Sequence, residues 1–219
     1  MTKVEKYWVN REIGTRNSVC ANVSLFRLLG SLFDSLNDKK VLEIGFGSGA
    51  DLFECKKRGA DIYGIELNPV AISHIDFLDK KKISLSKCGT NPIPFIGFFD
   101  LIYSRDTFCY LTDDEILFAF EDLTRHLKRN AKFVLQFIEK DLYAKSHDYS
   151  DEFDFNLLIN ADKRKIHSED NPIRYLSSQK IIKFAESFKL SCIGSKTIIQ
   201  SYDLHERHFR LDRYLIFQL

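Results

Sequence analysis

Three glycines at alternate positions form the clearest chemical motif of this sequence, within Val41-Leu42-Glu43-Ile44-Gly45-Phe46-Gly47-Ser48-Gly49. Glycine lets the chain turn sharply, so a ligand can lie against bare backbone. Glu66 follows Gly45 by 21 positions, at the end of the apolar run Ile62-Tyr63-Gly64-Ile65. A carboxylate at that position can accept hydrogen bonds from both hydroxyls of a ribose. Strand, glycine loop, helix, strand and acid in this order predict a nucleotide-binding unit.

The rest of the chain supplies the strands and helices that must position this loop. Helical periodicity covers residues 25–36, 50–58, 112–127 and 178–188, and Asn68-Pro69 begins another helix. Strand-like runs cover 41–44, 62–65, 83–85, 99–103 and 133–137, with a closing pair over 193–202 and 210–219. The alternation predicts a parallel sheet covered by helices on both faces, and the closing pair is expected to be antiparallel.

Composition narrows the classes of partner and compartment. The 219 residues suit one domain over 1–219, and 32 Lys+Arg against 31 Asp+Glu give a net charge of +1, which disfavours nucleic acid. Five widely spaced cysteines indicate free thiols in a reducing compartment. The N-terminus lacks an apolar signal region, and no stretch of 18 apolar residues occurs. We therefore expect a cytoplasmic protein with no membrane partner.

The glycine loop by itself leaves two cofactor classes open. Gly45 to Ala50 also fits the dinucleotide pattern G-x-G-x-x-A, so a nicotinamide oxidoreductase must be considered. Glu43, two residues before Gly45, and the strict alternation of the glycines favour a different class. Together with the stretches listed here, they resemble the motifs of class I S-adenosylmethionine-dependent methyltransferases, small-molecule branch: Glu66-Leu67-Asn68-Pro69, Pro94-Phe95 ahead of Phe99-Asp100-Leu101-Ile102, and Ser104-Arg105-Asp106-Thr107-Phe108-Cys109-Tyr110-Leu111.

This resemblance implies a fold, a cofactor and a reaction. The fold would be α/β: a seven-stranded, mostly parallel Rossmann-like sheet with a reversed C-terminal strand and helices on both faces. The reaction would be in-line methyl transfer from S-adenosyl-L-methionine to an oxygen or nitrogen of a small metabolite. The resemblance implies these cofactor-binding residues: Glu43, Gly45, Phe46, Gly47, Gly49, Glu66, Leu67, Cys88, Gly89, Thr90, Ser104 and Arg105.

Two features of the predicted cofactor site need particular attention. Glu43 is expected to be partly buried, and therefore to bond loop N–H groups or the ammonium of the cofactor's methionine part. The family usually places an acid near the adenine amino group, but here the corresponding stretch is Lys87-Cys88-Gly89-Thr90-Asn91, without a carboxylate. Backbone groups of residues 88–90, or the Thr90 side chain, would then meet the adenine.

The acceptor side is expected to involve two further segments. Residues 1–37 form an N-terminal arm and helix, in which Arg11 or Arg16 could pair with the cofactor's carboxylate. Residues 138–177 form an acidic and aromatic insertion that builds the acceptor pocket, or instead caps the sheet or forms a homodimer surface. Tyr110 is a candidate acceptor-site residue and His147 a candidate general base. No clustered ligand set predicts a metal.

Other functions stay open at this point. A protein or RNA methyltransferase is one alternative, and a basic face in the structure would favour it. A non-catalytic module that binds S-adenosylmethionine is another, supported by the missing acid near Thr90.

Overall fold

A seven-stranded sheet organises the chain over the residues that the computed structural model describes, namely 3–9, 20–139, 174, 176–203 and 208–219. The sheet order is β3-β2-β1-β4-β5-β7-β6. Strands β1 to β5 are parallel, and β7 runs antiparallel to both β5 and β6, so β7 alone is reversed. The strands are β1 (Lys40–Ile44), β2 (Asp61–Glu66), β3 (Ile83–Leu85), β4 (Phe99–Arg105), β5 (Leu127–Ile138), β6 (Ser191–Asp203) and β7 (His208–Gln218). The predicted fold class is confirmed.

Local sequence signals set where the helices begin. Thr112 and Glu115 form a reciprocal capping box at the start of α5. The Asn68 side chain accepts the N–H groups of Val70 and Ala71, with Pro69 in the first turn of α4. The helices are α1 (Lys3–Val9), α2 (Val23–Leu32), α3 (Ala50–Lys57), α4 (Pro69–Ser73), α5 (Asp113–Thr124) and α6 (Ser178–Glu186), with short 3-10 turns at Lys80–Lys82 and Phe108–Tyr110.

Each face of the sheet carries its own apolar core. Helices α5 and α6 bury side chains such as Phe120 and Ile181 against one face. Helices α2, α3 and α4 bury Leu25, Leu52 and Ala71 against the other. Because both faces are covered, the central strands are apolar almost throughout, as parallel strands usually are.

Several element boundaries differ from the sequence prediction. Helix α2 ends at Leu32 because Phe33 adopts an extended conformation, although Leu36 remains buried in the following loop. The apolar spacing through Leu36 therefore reflects burial of these side chains and does not mean that the helix continues. Helix α5 ends at Thr124, and the chain enters β5 at Leu127, which pairs with Phe99 of β4.

Some predicted residues lie outside the described part of the chain. They include Arg11, Arg16, His147 and nearly all of the 138–177 insertion, so their proposed roles stay predictions. The assignment of 1–219 as one domain also stays a prediction. None of the described helices is long and apolar enough to cross a membrane.

The aromatic core beneath α5 provides a test of this architecture. Phe133 is fully buried and lies 5.9 Å, ring centre to ring centre, from each of Phe108, Phe120 and Phe217. We expect Phe133→Ala to lower the free energy of unfolding by about 3–5 kcal/mol, measured by urea denaturation. The matched control is Phe118→Ala, because Phe118 is 37% exposed. A loss equal to that of the control would contradict this packing.

Candidate active site

The glycine loop leaves β1 through three left-handed backbone conformations. Gly45, Gly47 and Gly49 have φ of 75°, 52° and 74°. A Cβ at Gly45 would lie 1.9 Å from the hydroxyl oxygen of Thr107, so the packing also excludes any side chain at this position. A Cβ at Gly47 would meet nothing within 4 Å. Gly47 is therefore required by its backbone conformation alone, and it leaves bare backbone beside open space.

Glu66 joins the glycine loop to the end of β2. Its Oε2 accepts the N–H of Gly47 at 2.8 Å, and its Oε1 accepts the N–H groups of Leu67 and Asn68 at 2.7 and 2.9 Å. The side chain is buried, and burial raises the pKa of the carboxyl, while the three N–H groups act in the opposite direction. One carboxylate thus fixes both the loop after β1 and the turn after β2.

Glu43 has a different partner from the one predicted. Its Oε2 accepts the hydroxyl of Tyr103 at 2.8 Å, and the loop N–H of Gly47 is bonded to Glu66 instead. Glu43 and Tyr103 are register partners on adjacent strands β1 and β4, so their side chains point to the same face. The expected bond to loop N–H groups is therefore not made, and the alternative partner, the ammonium of the cofactor's methionine part, stays a prediction. Burial, followed by the nearby Asp51 carboxylate, raises the pKa of Glu43 well above its usual value.

A cavity opens where β1, β2 and β4 end, at the carboxyl edge of the sheet. Open α/β sheets bind their ligands at this edge. Thr107 helps to close its floor, because its hydroxyl lies 3.2 Å from the carbonyl oxygen of Ile44 and packs against Gly45. The cavity is lined by Trp8, Glu43, Gly45, Phe46, Gly47, Ser48, Ile65, Glu66, Leu67, Ser86, Lys87, Cys88, Arg105, Asp106, Thr107, Tyr110 and Leu111.

Arg105 lies in this wall and is held by an ion pair. Its Nε donates to Oδ2 of Asp51 at 2.6 Å, and the Asp51 side chain is only 3% exposed. Oδ1 of Asp51 accepts the backbone N–H of Asn22 at 2.6 Å. The pair thus connects β4, the first turn of α3 and the residue that caps α2.

The wall formed after β3 contains a buried lysine. Lys87 is buried, and its ammonium donates to Oε1 of Glu115 at 2.5 Å. Burial alone would raise the pKa of Glu115, but the hydrogen bond from Lys87 brings it below its usual value. Cys88 also lines the wall, and burial raises the pKa of its thiol to about 12, so the thiol stays neutral.

Aromatic rings from the N-terminal helix stand at the mouth of the cavity. The ring centres of Trp8 and Tyr110 are 4.9 Å apart in an edge-to-face arrangement, and Tyr7 stacks on Tyr110 at 6.3 Å. The Asn68 side-chain amide donates to the carbonyl oxygen of Trp8 at 2.6 Å. Helix α1 is therefore fixed to α4 as well as to Tyr110.

Not every residue predicted for the site reaches the cavity. Ser104 is fully buried and donates to the carbonyl oxygen of Ile44, so it supports the floor from within. Gly49 caps α3 away from the cavity. Gly89 packs against the backbone of α5, where a Cβ would lie 2.6 Å from the Glu115 carbonyl oxygen, and Thr90 is exposed. These four residues do not line the cavity, and their contacts with the cofactor stay predictions.

The remaining predicted residues come together in the cavity wall: Glu43, Gly45, Phe46, Gly47, Glu66, Leu67, Cys88, Arg105 and Tyr110. The sequence reasoning missed Ser86, Lys87 and Thr107. Ser86 and Lys87 directly follow β3, so the rule that ligands lie at the carboxyl ends of parallel strands would have indicated them. No sequence signal indicates that Thr107 packs on Gly45. Among the described residues, no group of three or more His, Cys, Asp or Glu side chains is arranged to hold a metal ion.

Comparison with known proteins decides the class. Residues 16–185 match the sequence profile of the family described as "Methyltransferase domain". The chain belongs to the S-adenosylmethionine-dependent methyltransferases. Its cofactor is S-adenosyl-L-methionine, and the nicotinamide alternative is wrong. The curated proteins include no sequence with significant similarity to this methyltransferase.

Solved structures share the fold at low sequence identity. An S-adenosylmethionine-dependent methyltransferase from Mesorhizobium loti has 12% identity and a TM-score of 0.68, over 90% of this chain and 99% of that one. Magnesium protoporphyrin IX methyltransferase (ChlM) from Synechocystis PCC 6803, with bound S-adenosylhomocysteine, has 13% identity and a TM-score of 0.60, over 99% of this chain and 92% of that one. A putative sarcosine dimethylglycine methyltransferase from Galdieria sulphuraria has 16% identity and a TM-score of 0.57, over 89% of this chain and 82% of that one.

The environment of Glu43 predicts a pH-dependent stability. A carboxyl whose pKa is raised by folding stabilises the fold below its unfolded-state pKa and loses that contribution as pH rises through its folded-state pKa. Glu43→Gln keeps an oxygen for Tyr103 but cannot ionise. In urea denaturation without ligand, we expect the stability of the variant relative to the unmodified protein to rise with pH above the usual glutamate pKa of about 4.3, by at most about 1.4 kcal/mol per pH unit.

The control for this experiment is Glu186→Gln, which changes an exposed glutamate of α6. Its stability should follow that of the unmodified protein across the same pH range. Parallel pH profiles for Glu43→Gln and the unmodified protein would contradict the buried, proton-favouring environment of Glu43.

Proposed function

We propose that this methyltransferase acts in the cytoplasm and methylates an oxygen or nitrogen atom of a small metabolite. The observation that carries the proposal is the joining of the loop after β1 and the turn after β2 by Glu66 beside one cavity. Small acceptors are further favoured by two of the structural neighbours, whose names specify a magnesium porphyrin and sarcosine or dimethylglycine.

We propose that Glu66 binds the ribose of the cofactor. An ionised carboxylate offers about four lone-pair directions, and three are taken by the N–H groups of Gly47, Leu67 and Asn68. A ribose hydroxyl can use the fourth, and a second can compete for the Gly47 bond. Sharp turning at Gly45 and the bare backbone of Gly47 leave space for the adenosyl group beside the loop.

The other ends of the cofactor are assigned from charge and position. Glu43 lies near the end of β1 and Arg105 at the end of the adjacent strand β4, and they would face the ammonium and carboxylate of the methionine part. Lys87 and Cys88 follow β3, and they would stand beside the adenine. The Lys87 ammonium donates to Glu115 and would use another of its N–H groups to donate to a ring nitrogen of the adenine.

Methyl transfer requires the acceptor to be aligned with the methyl group, and it requires little covalent chemistry from the protein. S-adenosylmethionine supplies a methyl group already activated by its sulfonium. The protein must hold the acceptor in line with that group and exclude water. Tyr110, Trp8 and Tyr7 form an aromatic wall beside the cavity, and we assign them to the acceptor side. His147 stays our candidate for a base if the acceptor must lose a proton.

The proposal is tested by an acceptor screen with mass-spectrometric detection of the methylated product. Small amines, alcohols and carboxylic acids are compared with RNA and protein acceptors under the same conditions. We expect S-adenosylhomocysteine to form only with a small acceptor. Turnover with RNA or protein alone would contradict the proposal, and binding without turnover of any acceptor would favour the non-catalytic alternative.

Once an acceptor is found, Tyr110 variants test the aromatic wall. Tyr110→Ala removes the ring against which Trp8 packs, so we expect KM for the acceptor to rise about tenfold, a loss of about 1.4 kcal/mol. Tyr110→Phe keeps the ring and serves as the control, with KM within about twofold of the unmodified protein. If Tyr110→Ala raises only the dissociation constant of S-adenosylhomocysteine, then the ring belongs to the cofactor side.

A further inference from the structure

Two large apolar side chains project from the edge of the sheet opposite the cavity. Ile96 is 96% exposed and Phe98 is 57% exposed, on either side of Gly97, whose φ is 99°. Their neighbours Phe95 and Phe99 are 7% and 0% exposed. We call residues 96–98 the apolar tip. Single exposed apolar residues are common on protein surfaces, but two within three residues are a concentrated apolar feature.

The backbone of the apolar tip is held in place. The Lys40 ammonium donates to the carbonyl oxygen of Ile96 at 3.0 Å, and a ring nitrogen of His126 lies 3.4 Å from the carbonyl oxygen of Gly97. The N–H of Phe99 donates to the carbonyl oxygen of His126 at 2.7 Å. Hydrogen bonds to both neighbouring strand starts therefore fix the two apolar side chains in an outward position.

Positive charge surrounds the apolar tip. Strands β1 and β5 flank β4, and their starts carry four cations, Lys39, Lys40, Lys128 and Arg129. The same region holds three acids, Asp38, Asp100 and Asp122, the last with an oxygen 3.9 Å from the His126 ring, which leaves an excess of one positive charge. Asp100 is itself bonded by the Lys128 ammonium at 2.7 Å and by the backbone N–H of Lys40 at 2.8 Å.

We propose that the apolar tip is a membrane-docking site, with Ile96 and Phe98 inserted among the headgroups of an anionic bilayer and the surrounding lysines and arginine on lipid phosphates. Apolar side chains ringed by cations match the apolar interior and negative surface of such a bilayer. A nucleic acid fits less well, because an aliphatic side chain such as Ile96 offers no ring on which a base could stack.

This docking surface goes beyond the proposed function. The seven residues of β4 separate the apolar tip from the cavity by roughly 23 Å at about 3.3 Å per residue. Docking would thus locate the enzyme at a membrane while its cavity faces away from the lipid. The proposal departs from the expectation of no membrane partner, which was based on the absence of a spanning segment, because a surface contact needs none.

Vesicle sedimentation tests the proposal with the full chain. Vesicles of phosphatidylcholine alone are compared with vesicles containing about 30% phosphatidylserine. We expect binding to the anionic vesicles that weakens as salt is added, and at least about tenfold weaker binding for the double variant Ile96→Ser/Phe98→Ser. The matched control is Val23→Ser/Val70→Ser, which removes two apolar side chains that are 63% and 43% exposed elsewhere.

Fluorescence distinguishes insertion from loose electrostatic attachment. Phe98→Trp in a Trp8→Phe background leaves one tryptophan, since Trp8 is the sole tryptophan of the chain. Its emission should shift to the blue when anionic vesicles are added. Affinity for S-adenosylhomocysteine should be equal in the Ile96→Ser/Phe98→Ser variant and the unmodified protein, which shows that the fold is intact and separates this proposal from the proposed function.

Three outcomes would overturn the docking site. The first is absence of binding to anionic vesicles by the unmodified protein. The second is equal binding by the Ile96→Ser/Phe98→Ser variant. The third is binding of a single-stranded RNA probe, lost in that variant, without binding to vesicles.

Discussion

The carboxylate of Glu66 is the group on which the geometry of the site depends. It receives three backbone N–H groups from two separate turns, one after β1 and one after β2. A buried carboxylate is costly unless it is hydrogen bonded, and bonds to a charged group contribute about 1.5–3 kcal/mol each. The loop and the acid thus stabilise each other. Without Glu66, the N–H of Gly47 would lose its acceptor. The loop that forms one wall of the cavity would then lose the bond that holds it to β2.

A second polar layer lies beneath the loop and gives the cavity its floor. Glu43 is bonded to Tyr103, while Asp51 pairs with Arg105. Removing one partner of a buried pair leaves the other uncompensated, so these contacts specify geometry more than they add stability. Glu43 lies near the end of β1, and Arg105 is the last residue of β4. The charges are consequently held at the edge where the ligand is expected, by the most strongly packed part of the molecule.

Sequence reasoning succeeded where a property is local. Alternate glycines, an acid at a strand end and a capping box each have their cause within a few residues, so the loop, Glu66 and the start of α5 were predicted. The mostly parallel sheet with its reversed C-terminal strand followed from the alternation of strands and helices together with the family resemblance. The wall after β3 is partly local, and Cys88 was predicted there.

Contacts between distant segments were not predictable in this way. Glu43 and Tyr103 lie 60 residues apart and meet only because the register of β1 and β4 pairs them. Lys87 reaches Glu115 across 28 residues, and Thr107 meets Gly45 through the close approach of two loops. The apolar spacing through Leu36 indicated burial correctly but gave the wrong helix end. Likewise, the run from Phe95 to Phe99 could not reveal which of its side chains face solvent.

Calorimetric titration with S-adenosylhomocysteine tests the central role of Glu66 most directly. The unmodified protein is compared with Glu66→Ala and with Asp34→Ala, which changes an exposed acid of the loop before β1. The account predicts a dissociation constant on the order of micromolar for the unmodified protein and for Asp34→Ala, and at least about tenfold weaker binding for Glu66→Ala. Equal affinity in Glu66→Ala and the unmodified protein would contradict it, because neither the loop nor the ribose would then depend on this carboxylate.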